Sequence, residues 1–174
     1  MSTVRPSITA AALRDIGLFG GLSDDSLARL ASELPELRAE PGKVVVTEGE
    51  LSTEMFVVIA GELEVAKRAL DGSTVRVAML GPGDWFGEMA ILDVQPRSAS
   101  VRALAPSVLL TLSSDQVDRL LYRVAPKDYS LLVMNIAREL SRRLRVADGI
   151  LAQFFVAMHE QYAKGAAGSK PPAP

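Results

Sequence analysis

The sequence predicts a mainly β domain, a sandwich or barrel, with helices flanking it on both sides. Three observations carry that expectation. Between Leu37 and about Leu112, short runs rich in β-branched residues alternate with turns bearing glycine and proline. An amphipathic segment precedes this stretch, and a much longer segment with helical apolar spacing follows it. At 174 residues the chain is long enough for one good core and too short for two ordinary domains. Residues 1–163 are therefore expected as a single domain, and the Ala/Gly/Pro/Ser-rich stretch 164–174 as a flexible tail.

The leading helical region covers residues 9–34. Ser23 reads as an N-cap, with Asp24 and Asp25 in the positive first turn. Leu27, Leu30, Ala31 and Leu34 then recur at i, i+3, i+4 and i+7 on one face. Strand candidates over 37–112 are Val44–Val46, Phe56–Ile59, Leu63–Val65, Val75–Met79 and Val108–Leu112. Breaks fall at Pro41-Gly42, Gly49, Gly61, Asp71-Gly72 and Gly81-Pro82-Gly83. Asp71-Gly72 is the strongest hairpin signal and suggests a type I′ turn, in which both central residues take positive φ. Gly87–Leu92 fits a single helical turn inside the β region. Helices return over 114–162: a short one near Ser114–Tyr122, then a long one from about Asp128 to Tyr162. In the long helix Val133, Ala137, Leu140, Leu144, Ala147, Leu151, Phe154 and Met158 alternate in steps of four and three. That rhythm predicts a coiled-coil seam between two copies of the chain.

Composition narrows the function. A formal net charge of −2 gives no electrostatic case for coating nucleic acid. The absence of cysteine removes disulfides, thiolate metal sites and a thiol nucleophile, and fits a cytoplasmic protein. No stretch reaches the ~20 apolar residues that span a bilayer, and the first residues lack the apolar core of a secretory signal. The single histidine, His159, lies near the end of the long helix, where a surface or seam position is expected. A metal-dependent phosphodiesterase or a histidine-rich metal barrel cannot be assembled from one histidine. The expectation is binding, not catalysis, with no metal and no cofactor.

The informative stretch runs from Gly83 through Trp85-Phe86-Gly87-Glu88-Met89-Ala90-Ile91 to Pro96-Arg97-Ser98-Ala99-Ser100-Val101. Gly87 lets backbone approach a ligand closely, and a helical turn beginning there aims N–H groups at one point. Arg97 follows Pro96, which fixes the local backbone. Backbone N–H groups plus one guanidinium make a site for a monovalent oxyanion, such as a phosphate diester. Glu88 would repel an anion, yet it makes sense as the acceptor for a neighbouring hydroxyl, and a ribose 2′-OH fits. Taken singly, the same residues describe a surface ion pair beside a Gly-rich turn. Trp85 suits either base stacking or core packing, the latter being the commoner use.

Phe86-Gly87-Glu88-Met89-Ala90-Ile91 with Pro96-Arg97-Ser98-Ala99-Ser100-Val101 resembles the phosphate-binding cassette of the cyclic-nucleotide-binding domain family. That family includes kinase regulatory subunits, cyclic-nucleotide-gated channels and bacterial catabolite activators. The resemblance extends from about Leu18 to Gln153 and implies an eight-stranded β-roll (a double-stranded β-helix) with N-terminal helices and a long C-terminal helix. It implies that Arg97 pairs with the cyclic phosphate, helped by the N–H groups of Ala90 and Ser98. Glu88 would take the ribose 2′-OH, with Gly87 and Met89 supplying close backbone.

For the base, the resemblance points to Ser98 and to Ala147-Asp148 on the long helix, where bacterial activators carry Thr-Ser. A carboxylate at Asp148 can accept two donors from guanine, whereas adenine offers one donor and one acceptor. Cyclic AMP stands first as the expected ligand and cyclic GMP second. Gly149 costs ~1 kcal/mol relative to alanine inside a helix. It marks either a hinge that closes the distal helix over the base or a close-packed seam position. The expected partners are a cyclic nucleotide, a second copy of the chain and an effector protein of unknown identity, with no nucleic acid or membrane. Two other readings stay open: a dimerisation scaffold whose cassette binds nothing, and the sensor fragment of a larger transcription regulator or channel.

Overall fold

The structure is a computed structural model that describes residues 8–93 and 95–168 of the chain, and side chains as far as His159. Two compact units result, Met1–Asn135 and Ile136–Pro174. The stretch expected as one domain, 1–163, thus holds the first unit and most of the second.

The first unit opens with α1 (Ala10–Arg14), a 3-10 turn at Gly17–Phe19 and α2 (Asp24–Glu33). Ser23 caps α2 by accepting from the Ser26 N–H, and Asp24 and Asp25 occupy the first turn. Leu27 and Leu30 are fully buried, so the periodicity marks the inward face. The eight strands are β1 (Glu36–Ala39), β2 (Val44–Val46), β3 (Glu54–Ala60), β4 (Leu63–Arg68), β5 (Thr74–Leu80), β6 (Trp85–Phe86), β7 (Ser100–Ala103) and β8 (Ser107–Ser113). They form two four-stranded antiparallel sheets, ordered β1-β8-β3-β6 and β2-β7-β4-β5. This is the expected eight-stranded roll. Its interior is filled by Val46, Phe56, Val58, Leu63, Phe86, Val101 and Leu109 among others. Met55 to Val58 are all buried, so β3 is covered on both faces.

The hairpin between β4 and β5 forms where Asp71-Gly72 predicts it, but not as a type I′ turn. Gly72 has φ +83°, while no non-glycine residue among those described has positive φ. Ala69 and Ser73 close the loop through Ala69 N–H to Ser73 O, and Gly72 N–H donates to Ala69 O. That is a three-residue loop, a tight turn followed by a left-handed glycine. Asp71 stays at negative φ and accepts from the Ser73 N–H at 2.9 Å.

Between β6 and β7 lies α3 (Met89–Leu92), the helical turn expected there. After β8, Ser113 and Gln116 form a reciprocal capping box that starts α4 (Ser114–Val117). The helix then widens into a π-helical turn over Asp118–Tyr122 instead of continuing as α-helix. The last element, α5, spans Pro126–Gly168, 43 residues or about 65 Å. Its first turns belong to the first unit, where Asn135 Nδ2 donates to Leu18 O and Gly20 O at 3.0 and 2.9 Å. In the second unit the helix runs without a break through Gly149. It reaches Gly168, five residues into the expected tail, and 169–174 lie outside the described residues. Among the described residues no helix is long and apolar enough to cross a membrane.

Candidate functional site

The cassette grows out of the roll. A turn at Gly81–Asp84 is held by Gly83 N–H to Val58 O and by the Asp84 carboxylate, which accepts from the Gly81 N–H at 2.8 Å. It delivers β6, whose Phe86 stacks on Phe56 of β3 with ring centroids 5.1 Å apart. Trp85 points elsewhere. It is buried, and a Cβ on Gly17 would touch its ring at 3.6 Å, so it packs beside the N-terminal 3-10 turn. Core packing, not base stacking, is its role here.

Gly87 follows with φ +79°. A Cβ at this position would fall 2.5 Å from Arg97 Nη1 and 3.0 Å from Glu54 O, so glycine is required both by conformation and by close approach. Glu88 precedes α3 and is only 4% exposed. Ala90 is buried and Met89 is exposed. The Ala90 N–H, expected at a phosphate, donates to Gly87 O at 3.1 Å, because a turn this short closes on its own carbonyl. Ser98 is exposed at the other end of the cassette.

Arg97 is 8% exposed although it carries a permanent charge. Its backbone is pinned to the loop between β2 and β3: Arg97 N–H donates to Glu50 O, and Gly49 N–H donates to Arg97 O. Its guanidinium donates through Nη2 to Glu54 O at 2.6 Å and to Ser52 Oγ at 2.9 Å, and through Nη1 to Gly87 O at 3.4 Å. The guanidinium carbon stands 5.8 Å from the centre of the Phe56 ring, within cation–π range. Nε is buried with no hydrogen-bond partner among the described residues. Burial lowers the pKa of the group, and the charges of Glu54, Glu50 and Glu88 offset this only in part. Among its direct hydrogen-bond partners the cation is therefore under-compensated, since all three are neutral oxygens.

Gly87, Glu88 and Arg97 are thus brought together as the sequence expects. Ala147 and Asp148 belong to the second unit, where both are exposed. His159 is exposed as well. Ser52, Glu54 and Phe56, which hold the guanidinium, were not visible in the sequence as site residues. The acidic, polar run Glu48-Gly49-Glu50-Leu51-Ser52-Thr53-Glu54, which ends on the first residue of β3, hints at Ser52 and Glu54 but not at Phe56. Among the described residues no group of three or more acidic or histidine side chains is placed to hold a metal.

The same region is where the chain matches known proteins. The family model described as "Cyclic nucleotide-binding domain" covers residues 36–123. The chain is 34% identical to the Cyclic AMP receptor protein of Thermus thermophilus over 131 residues, 75% of this chain and 58% of that protein. It is 38% identical to the cAMP-dependent protein kinase regulatory subunit of Yarrowia lipolytica over 109 residues, 63% of this chain and 28% of that one. Among solved structures it superposes on a cyclic nucleotide-binding domain from Methylobacillus flagellatus with a TM-score of 0.72 at 29% identity, covering 83% of this chain and 82% of that one. The chain therefore spans less than two thirds of the length of the curated relatives named here.

Proposed function

The chain belongs to the cyclic nucleotide-binding domain family, and from that membership we propose that it is a cytoplasmic sensor that binds cyclic AMP first and cyclic GMP second. The observation that carries this reading is Arg97, a buried and under-compensated cation set against the left-handed Gly87. In this reading Arg97 and the Ser98 N–H hold the cyclic phosphate. The Ala90 N–H joins them by sharing its proton between Gly87 O and the ligand. Glu88 accepts from the ribose 2′-OH, while Gly87 and Met89 give close backbone. Ser98 meets the base. The order of ligands is supported by the names of the relatives, a cyclic AMP receptor and a cyclic AMP-dependent kinase regulatory subunit. The function is regulatory, without catalysis, metal or cofactor.

The sensor signals by closure of its C-terminal helix toward an effector protein, and it pairs with a second copy through that helix. The seam expected from the heptad rhythm is supported by Leu144, Leu151 and Phe154, which are 62%, 53% and 58% exposed. Large apolar side chains at those positions favour a partner helix over water. Isothermal titration with each nucleotide tests the ligand. The expected result is micromolar or tighter binding of cyclic AMP and weaker binding of cyclic GMP. Equal or tighter cyclic GMP binding overturns the order, and no binding of either at millimolar concentration leaves the domain as a dimerisation scaffold.

A further inference from the structure

Ser52 stands on the loop ahead of β3 and is half-buried. Its Oγ lies 2.9 Å from Arg97 Nη2 and 3.3 Å from the Glu54 backbone nitrogen. Both neighbours are obligate donors, since neither a guanidinium nor a backbone N–H has a lone pair to offer. A serine hydroxyl has two lone pairs and one proton. The two bonds therefore use the acceptor capacity of the oxygen and turn its proton outward to some other acceptor. Arg97 Nε, in the guanidinium that Ser52 holds, is likewise a buried donor without a partner among the described residues. One small cluster thus contains two donors awaiting an acceptor, and Nη2 already fixed in place. An anion with at least two oxygens answers both.

Resting on the cyclic-nucleotide reading of this site, we infer that Ser52 is a further phosphate-binding residue, whose hydroxyl donates to an exocyclic oxygen of the cyclic phosphate while its lone pairs hold Arg97. It works on the phosphate and not on the base. Its contribution is therefore the same for cyclic AMP and cyclic GMP. Because the hydroxyl reaches one of the two exocyclic oxygens, it also distinguishes the Rp and Sp phosphorothioate analogues, in which sulfur, a poorer acceptor, replaces one oxygen or the other.

The test is isothermal titration of wild type, Ser52→Ala and Ser52→Thr with both nucleotides and with the two phosphorothioates of cyclic AMP. Ser52→Ala is expected to lose about ten-fold in affinity for either nucleotide, the loss of one hydrogen bond to a charged acceptor. Ser52→Thr, which keeps the hydroxyl, is expected to stay within about three-fold of wild type. The ratio of Rp to Sp affinity is expected to change by about three-fold or more in Ser52→Ala and to return in Ser52→Thr. A serine that only braces the loop would lower both analogues equally and leave the ratio unchanged, and that result overturns the assignment. Unchanged affinity in Ser52→Ala overturns it too, while the wild-type titration still supports the sensor. Wild type that binds neither nucleotide overturns the sensor reading itself and this assignment with it.

Discussion

Glu64 and Arg97 are charged side chains of the same roll, each 8% exposed, and they are satisfied in opposite ways. Glu64 on β4 faces Arg102, its register partner on β7, which donates to it through Nε at 2.9 Å and through Nη2. Arg76 of β5 adds a second cation at 3.8 Å. Arg97 instead donates to neutral oxygens of Ser52, Glu54 and Gly87, and the carboxylates around it act through their charge at longer range. Breaking a buried pair by removing one partner is costly, whereas an ion without a direct counter-ion already bears that cost in the folded state. Glu64 is thus a fastener between three strands. Arg97 is a buried charge whose direct partners are all neutral.

The largest consequence of this contrast lies in Arg97→Ala. On the proposed function it removes at least two charge-assisted hydrogen bonds to the phosphate, so affinity for either cyclic nucleotide is expected to fall by roughly 100-fold or more. The folded state gives up an under-compensated buried charge, so thermal stability in the absence of nucleotide is expected to change little or to rise. Titration and a thermal melt of the same variant read both effects. A large drop in melting temperature would place Arg97 in the same class as Glu64 and break the comparison.

Glu64→Ala is the converse experiment. It strands Arg102 and Arg76 without their shared carboxylate. Their side chains are 54% and 59% exposed and recover water readily. The expected cost is therefore about 2 kcal/mol, below the 3–5 kcal/mol of a fully buried pair. In a chain of this size that lowers the melting temperature by roughly 4–8 °C. Nucleotide affinity is expected to stay within about two-fold, since Glu64 lies on a different sheet from β3 and β6. An affinity loss as large as that of Arg97→Ala would show that the two charges do not divide the work.

The same division governs what could be read from the residues alone. Val44–Val46 announces itself by its β-branched texture alone, and Glu54–Ala60 because propensity and burial agree over Phe56–Val58. Glu36-Leu-Arg-Ala39 and Ser100-Val-Arg-Ala103 do not, since little in them favours a strand until β8 and β4 pair with them. Asp71-Gly72 gives the hairpin but not its turn type, because the loop closes one residue longer and only the glycine needs positive φ. In the site, Gly87, Glu88 and Arg97 are legible as one local motif. Ser52 and Glu54 are not, because they meet Arg97 across sequence separations of 45 and 43 residues that only the roll closes.

Asp128, in the first turn of α5, sharpens the comparison from a third side, with the smallest expected effect. It is 6% exposed, as buried as Glu64 and Arg97, but its direct hydrogen-bond donors are a hydroxyl and a backbone N–H and not a guanidinium. Its carboxylate accepts from the Ser23 N–H at 3.3 Å and from Ser23 Oγ, at the positive N-terminus of α2. Burial alone would raise its pKa. Hydrogen bonds from the side chain and backbone of Ser23, with the charge of Lys127, outweigh burial and hold it below the ordinary value of 3.8. A carboxyl depressed in the folded state adds stability that is complete above its unfolded pKa and is lost as pH falls through the folded one. Asp128→Asn is therefore expected to be less stable than wild type by about 1 kcal/mol at neutral pH. That gap should close as pH drops below 3.8, where wild type loses the same charge. Urea unfolding of both proteins at pH 7 and at acid pH measures the gap. A difference that persists undiminished in acid would mean that Asp128 works through shape and not through its charge, and that α2 and α5 are joined by packing alone.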